Sequence, residues 1–244
     1  MNAWWKIIQS AFIRYRHILW LILITLSLAG FLYLLPTGLR ADLLQSILTQ
    51  RRLTVMLLAF GLLALSLLWS LGQRIDVWTF LYFNIHGNRP KWLDGIMLLL
   101  TQGGNGVTAF FIAGFYYLRN FRILATMIVF GTLTLWLVVE FVKAIIQRAR
   151  PFEKLLEVRV VGGRAIGRSF PSGHTSQAFF LVTLLAQFYQ LGIGVALLLY
   201  GLAALIGITR MYVGAHYPRD VLAGAILGSV WGVLGEMLHT QLMG

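Results

Sequence analysis

Cysteine is absent from the 244 residues of this chain. That excludes disulfide frameworks, thiolate zinc sites and cysteine nucleophiles together, and it leaves the redox compartment unspecified. Charge is almost as scarce: Asp, Glu, Lys and Arg make up 11% of the sequence, against about 25% in soluble domains. A chain this poor in polar groups lacks the surface needed to cover a globule in water. Acidic residues number 8 against 20 Lys and Arg. The excess does not form a continuous basic stripe, and no nucleic-acid-binding signature accompanies it, which speaks against nucleic acid as a partner. Nine of the basic residues fall between Lys143 and Arg219, in connections between apolar stretches, a placement suited to an anionic headgroup.

What the chain has in quantity is apolar sequence, 59% of its residues, with a mean hydropathy of +0.79. A bilayer core about 30 Å thick needs roughly 20 helical residues to cross. Uncharged stretches of that order run from Ile18 to Leu35 and from Leu53 to Gly72, and further candidates run from Gly95 to Leu118, Ile123 to Val139, Thr175 to Tyr189, Leu191 to Thr209 and Val221 to Leu238. The expected fold class is therefore all-α: a polytopic transmembrane bundle of about seven spans. Lys6, Arg14 and Arg16 precede the first apolar run as in a signal peptide, but no small-residue cleavage site follows, so the segment is expected to be retained. Residues 1–52 are read as an interfacial segment with an extra span, and residues 53–244 as a six-helix membrane domain. Between the second and third spans, Ile75 to Phe83 carries Asp76, Trp78 and Tyr82 among apolar residues, which suits a scaffolding helix in the interface. Loop charges show no bias, five basic residues on one side against six on the other, so the positive-inside rule assigns no orientation.

Three segments carry candidate chemistry, and the span count puts all three at one membrane face. In Lys143-Ala-Ile-Ile-Gln-Arg-Ala-Arg150-Pro151, a spacing of seven within a continued helix would project Lys143 and Arg150 from one side. An arginine fork and a lysine point charge suit a tetrahedral dianion, although two snorkelling residues at a helix end would look the same. Phe170-Pro171-Ser172-Gly173-His174 places a serine, a glycine and a histidine at a helix N-terminus, where free N–H groups favour an anion. A serine N-cap followed by an incidental histidine is the alternative there. Arg210-Met-Tyr-Val-Gly-Ala-His216-Tyr-Pro-Arg-Asp220 sets a carboxylate four residues after a histidine. On one helical face Asp220 could take the Nδ1 proton and leave Nε2 as a lone-pair nucleophile, or it could simply cap the helix. Glu140, Gln102 and Asn105 are polar at membrane depth, which fits either lining the site or bonding between helices.

Lys-x6-Arg-Pro, Pro-Ser-Gly-His and Arg-x5-His-x3-Asp, in that order, resemble the type 2 phosphatidic acid phosphatase superfamily, which includes vanadium haloperoxidases. The resemblance spans roughly Asp94 to Leu238, with one departure: Thr209 stands where the family commonly has serine. It implies that Lys143, Arg150, Ser172, the Gly173 amide and Arg210 bind phosphate, that His174 is the general acid, that His216 is the nucleophile and that Asp220 orients it. It also implies a membrane lipid phosphatase with its site on the extracytoplasmic face, as in a bacterial inner membrane. No cofactor and no metal are expected, since Asp220 is the only carboxylate in the three segments. The expected partners are the bilayer and a lipid phosphate: undecaprenyl pyrophosphate, phosphatidylglycerol phosphate, phosphatidic acid or a lipid A phosphate. A lipid phosphotransferase using the same phosphohistidine is the alternative. The apolar spans weigh against a haloperoxidase, and a transporter would have no need of the His216 and Asp220 pair.

Overall fold

The computed structural model describes residues 49–84 and 90–243, with scattered residues between 22 and 45 and with side chains as far as Leu238. Most of the expected span from Ile18 to Leu35, and with it most of the 1–52 unit, lies outside the described residues. Regular structure among the described residues is entirely helical: α1 (Arg51–Ser66), α2 (Ser70–Asn84), α3 (Lys91–Gln102), α4 (Gly106–Leu118), α5 (Arg122–Ile146), the single turn α6 (Pro151–Lys154), α7 (Gly173–Phe188), α8 (Ile193–Tyr212) and α9 (Pro218–Met243). Among the described residues three stretches are long and apolar enough to cross a bilayer, Arg122–Lys154, Ile193–Tyr212 and Pro218–Leu238, and there are five if each of two bent helix pairs forms one span. Large side chains such as Phe111, Leu99 and Leu197 point outward, 76%, 74% and 64% exposed. That outer surface suits lipid rather than water.

Two expected spans are broken, the first by a distant side chain and the second by its own glycines. The stretch from Leu53 to Gly72 stops as a helix at Ser66 and turns 95° into α2. Arg219 supplies the stop, because its Nη1 donates to the Ser66 carbonyl and hydroxyl, and a cation at a helix C-terminus satisfies carbonyls the helix leaves open. The stretch from Gly95 to Leu118 bends 57° between α3 and α4. Gly103 and Gly104 favour the break, and the Asn105 side chain caps α4 by accepting from the Val107 N–H at 3.1 Å. A Cβ on Gly104 would lie 2.4 Å from the His174 carbonyl oxygen, so the break brings backbone directly against the Ser172–His174 turn.

At the centre stands α7. It is short, and Thr175, Ser176, Gln177, Phe180, Thr183 and Leu184 are all buried among α5, α8 and α9. A helix enclosed by protein can carry Thr, Ser and Gln without presenting them to lipid. The tightest contact is with α9, where Gly224, Gly228 and Gly232 recur every fourth residue. A Cβ at these positions would lie 2.6 Å from the Ser172 carbonyl, 2.1 Å from the Ser176 carbonyl and 2.5 Å from the Thr183 Cβ. Small residues at this spacing let two backbones touch.

Candidate active site

The last turn of α5 and the segments around α7 and α9 converge on one end of the bundle. The expected continuous helix from Lys143 to Pro151 does not form. α5 ends at Ile146, Gln147 takes a left-handed conformation at φ 53°, and Arg150 is extended at φ −77°, ψ 160°. Pro151 disfavours helical geometry in the residue before it. Lys143 and Arg150 therefore do not share a helical face; the turn swings Arg150 across to the loop before α9.

Arg150 is 3% exposed and four of its five N–H donors face a partner. Nε and Nη2 donate to the Gly167 and Ile166 carbonyls at 2.8 and 2.9 Å, and Nη1 donates to the Ala215 carbonyl at 3.0 Å and faces His216 Nε2 at 3.2 Å. The His216 ring is held from the other side by the Ser169 backbone carbonyl, 2.7 Å from Nδ1. A carbonyl only accepts and a guanidinium only donates. The two contacts together place the proton on Nδ1 and the lone pair on Nε2. Burial pushes the His216 pKa down to about 3, with Arg150 and Arg210 acting in the same direction against the Asp220 carboxylate. The ring is thus neutral at pH 7.

Asp220 orients this ring differently from the sequence expectation. His216 precedes the first residue of α9, so the two do not share a helical face, and Nδ1 lies 3.8 Å from Asp220 Oδ2. The carboxylate instead accepts from Ser169 Oγ at 2.6 Å, from the Tyr217 N–H at 2.8 Å and from Arg148 Nη1 at 2.6 Å. Ser169 is the link, its hydroxyl on Asp220 and its carbonyl on His216. The Ser172 N–H also donates to the Asp220 carbonyl at 3.0 Å, tying the second segment to the third.

Arg148 is itself held from behind. Its other nitrogen reaches Asp76, its guanidinium carbon lies 4.3 Å above the Tyr217 ring, and Arg219 Nε donates to the same Asp76 carboxylate at 2.7 Å. Asp76 is 1% exposed and Asp220 fully buried, so two carboxylates and two guanidiniums form one buried, charge-balanced cluster. α2 delivers Asp76 and is clamped at its far end by Asn84, whose amide donates to the Arg159 and Tyr212 carbonyls at 2.8 Å each. The helix read as scaffold does brace the site. Sequence reasoning passed over Ser169, Arg148 and Asp76; a carboxylate in an apolar stretch was the available signal for the last, since such a charge requires a buried partner.

Arg210, on the last turn of α8, is buried and donates to Thr101 Oγ1 at 2.8 Å. Its Nε is buried with no hydrogen-bond partner among the described residues, a donor that an anion would satisfy. His174 lies in the first turn of α7, within electrostatic reach of Arg210, His216, Lys143 and Arg150. Gly173 opens α7 with its N–H at the helix N-terminus. Ser172 is fully buried and its hydroxyl pairs with Thr175 Oγ1 at 2.9 Å, so in this state it is directed to its own helix. Lys143 Nζ lies 2.7 Å from Glu140 Oε1. Lys143, Glu140, Gly173, His174, Gln177 and Asn105 all line one cavity of about 400 Å3 that continues down between α4 and α5. Gln102 is not among its lining residues; it accepts from Asn105 Nδ2 at 3.3 Å.

Several proteins similar in sequence or fold are named as phosphatases. The lipid A 1-phosphatase of Rhizobium etli is 33% identical over 43% of this chain, a stretch that spans 46% of that protein's length. The undecaprenyl-diphosphatase of Sulfolobus acidocaldarius is 28% identical over 72% of this chain and 85% of its own. In fold, the chain is similar to the crystal structure of a transmembrane PAP2 type phosphatidylglycerolphosphate phosphatase from Bacillus subtilis, with a TM-score of 0.66 at 23% identity, covering 78% of this chain and 96% of that one. The family model of the PAP2 superfamily matches residues 119–241, half of the chain and all three motif segments, and the chain belongs to that superfamily.

Proposed function

We propose that the protein is an integral membrane enzyme that hydrolyses the phosphate of a lipid through a phosphohistidine on His216. The observation that carries this is the His216 ring: Nδ1 committed to the Ser169 carbonyl, Nε2 with its lone pair beside Arg150, and within electrostatic reach Arg210, whose Nε has no partner among the described residues. Nε2 attacks phosphorus, forming an N–P bond as the P–O bond to the lipid breaks, and His174 gives a proton to the leaving oxygen. Water then attacks the phosphohistidine, His174 takes up its proton, and the N–P bond breaks to release inorganic phosphate and free His216. Splitting the displacement in two lowers each barrier. Asp220, through Ser169, orients the nucleophile.

Lys143, Arg150, Ser172, the Gly173 N–H and Arg210 hold the phosphate oxygens and stabilise the charge that develops on them. The chemistry proceeds without a metal, because three cations supply that role and Asp220, the carboxylate nearest the nucleophile, is committed to Ser169, Tyr217 and Arg148. Undecaprenyl pyrophosphate, phosphatidylglycerol phosphate and phosphatidic acid are candidate substrates, each joining an apolar tail to a terminal phosphate. The chain forms about seven spans, six of them in the 53–244 phosphatase domain, and the site opens on the extracytoplasmic side of a bacterial inner membrane. The test is His216→Ala with radiolabelled lipid phosphate in the presence of EDTA. Wild-type protein releases phosphate and retains acid-labile label, and the variant does neither. Near-native turnover by the variant, or loss of wild-type turnover that magnesium restores, rejects the reading.

A further inference from the structure

We propose that Glu140 makes this site selective for phosphate monoesters whose leaving alcohol carries hydroxyl groups, as glycerol and sugar headgroups do, and turns away lipid diphosphates. The proposal rests on the phosphatase reading above and narrows its substrate class. The cavity beside His174 is layered along its length. Lys143, Gly173 and His174 form its upper tier. Glu140 precedes Lys143 by three residues on α5, and Gln177 follows His174 by three on α7, so both lie about 4.5 Å further along the groove. Beyond them the walls are apolar, with Trp136, Leu135, Leu133 and Phe110. The order matches a phosphate, a polar headgroup and a hydrocarbon chain.

The one cation that reaches the middle tier is already paired. Lys143 Nζ is drawn to Glu140 Oε1 at 2.7 Å. One donor of each amide is engaged as well: Gln177 Nε2 donates to Thr132 Oγ1 at 2.9 Å, and Asn105 Nδ2 to Gln102 Oε1 at 3.3 Å. Glu140 carries the one carboxylate among the described lining residues, and its side chain is 34% exposed, open to a ligand. Where His174 protonates the leaving oxygen, the next group of the substrate falls on this tier. A hydroxyl there donates to the carboxylate. A second phosphate meets like charge with its own cation already paired, so discrimination comes from repulsion of the wrong substrate as well as attraction of the right one.

The full chain in mixed micelles is assayed on phosphatidylglycerol phosphate and undecaprenyl diphosphate as wild type, Glu140→Gln and Glu140→Asp. Wild type favours the monoester in kcat/KM. Glu140→Gln shifts the ratio towards the diphosphate by about tenfold or more, a modest share of the repulsion between two charges at contact, and Glu140→Asp retains the wild-type preference. A ratio unchanged in Glu140→Gln, with both substrates slowed together, would mean that the carboxylate only positions Lys143 and would overturn the proposal, as would a wild type that prefers the diphosphate. If neither lipid releases phosphate the phosphatase reading fails, and selectivity is then read as binding of an alkyl phosphonate against an alkyl methylenebisphosphonate. The same shift on Glu140→Gln is expected, and equal affinity ratios in the two proteins would overturn it.

Discussion

Asp76→Asn removes one negative charge from a cluster that holds two buried carboxylates and two buried guanidiniums. In the native protein Asp76 accepts from Arg148, from Arg219 Nε at 2.7 Å and from the Arg219 N–H at 3.2 Å. Asparagine keeps the size and one acceptor but leaves two cations sharing the Asp220 charge. Arg219 keeps the Ser66 carbonyl and hydroxyl and competes with Arg148 for the one amide oxygen. Breaking one partner of a buried ion pair costs about 3–5 kcal/mol, and Asp76, 1% exposed, is screened by protein on all sides. A stability loss of about 3 kcal/mol or more is therefore expected in SDS-induced unfolding from detergent micelles. Turnover should fall with it, because Arg148 loses the contact that aims its Nη1 at Asp220. A loss below about 1 kcal/mol would show that the cluster is solvated and would refute the account of Asp220 as braced from α2.

Gly228→Ala places a methyl group 2.1 Å from the Ser176 carbonyl; it should destabilise the protein by about 1–3 kcal/mol and lower kcat through displacement of His174 relative to His216, both read on the same purified sample. Ser169→Ala removes the hydroxyl on Asp220 but keeps the carbonyl on His216, so kcat/KM should fall by roughly a factor of ten, the worth of one hydrogen bond to a charged group, and by far less than in His216→Ala. The pKa of His216 is lowered from 6.5 to about 3, so as pH falls below 6.5 the unfolded chain binds a proton that the native ring refuses. Stability should drop by up to about 1.4 kcal/mol per pH unit between pH 6.5 and 3, and His216→Gln should flatten that slope in unfolding measurements across the range.

Sequence reasoning succeeded where chemistry and periodicity coincide. The long apolar helices followed from hydropathy, and the three motif segments do meet at one end of the bundle, because α7 starts at the end where α5 stops and α8 returns the chain to it. It failed where geometry depends on distant partners. Ser66 ends a helix because Arg219, far along the chain, reaches its carbonyl. Arg150 leaves α5 through the left-handed Gln147, so a spacing of seven that looked helical describes two residues on different surfaces. Spacing likewise suggested that Asp220 meets His216 directly, whereas Ser169 stands between them. A backbone carbonyl carries no mark in a sequence, and the residue that lends it can be any residue. Asp76 was visible as a charge in an apolar stretch, but nothing local identified Arg148 and Arg219 as its partners.

Where α9 lies on α7, no side chains fill the seam at Gly224, Gly228 and Gly232, and the two backbones mesh like a toothed rail. A toothed rail has discrete stops. Sliding by one tooth moves four residues, about 6 Å along the axis, and no intermediate setting keeps the glycines opposite the Ser172 and Ser176 carbonyls. The separation between the histidine at the head of α7 and the histidine ahead of α9 is therefore indexed rather than adjustable. An enzyme assembled this way has one working alignment, and thermal motion can loosen it or leave it intact without tuning it by fractions of a turn.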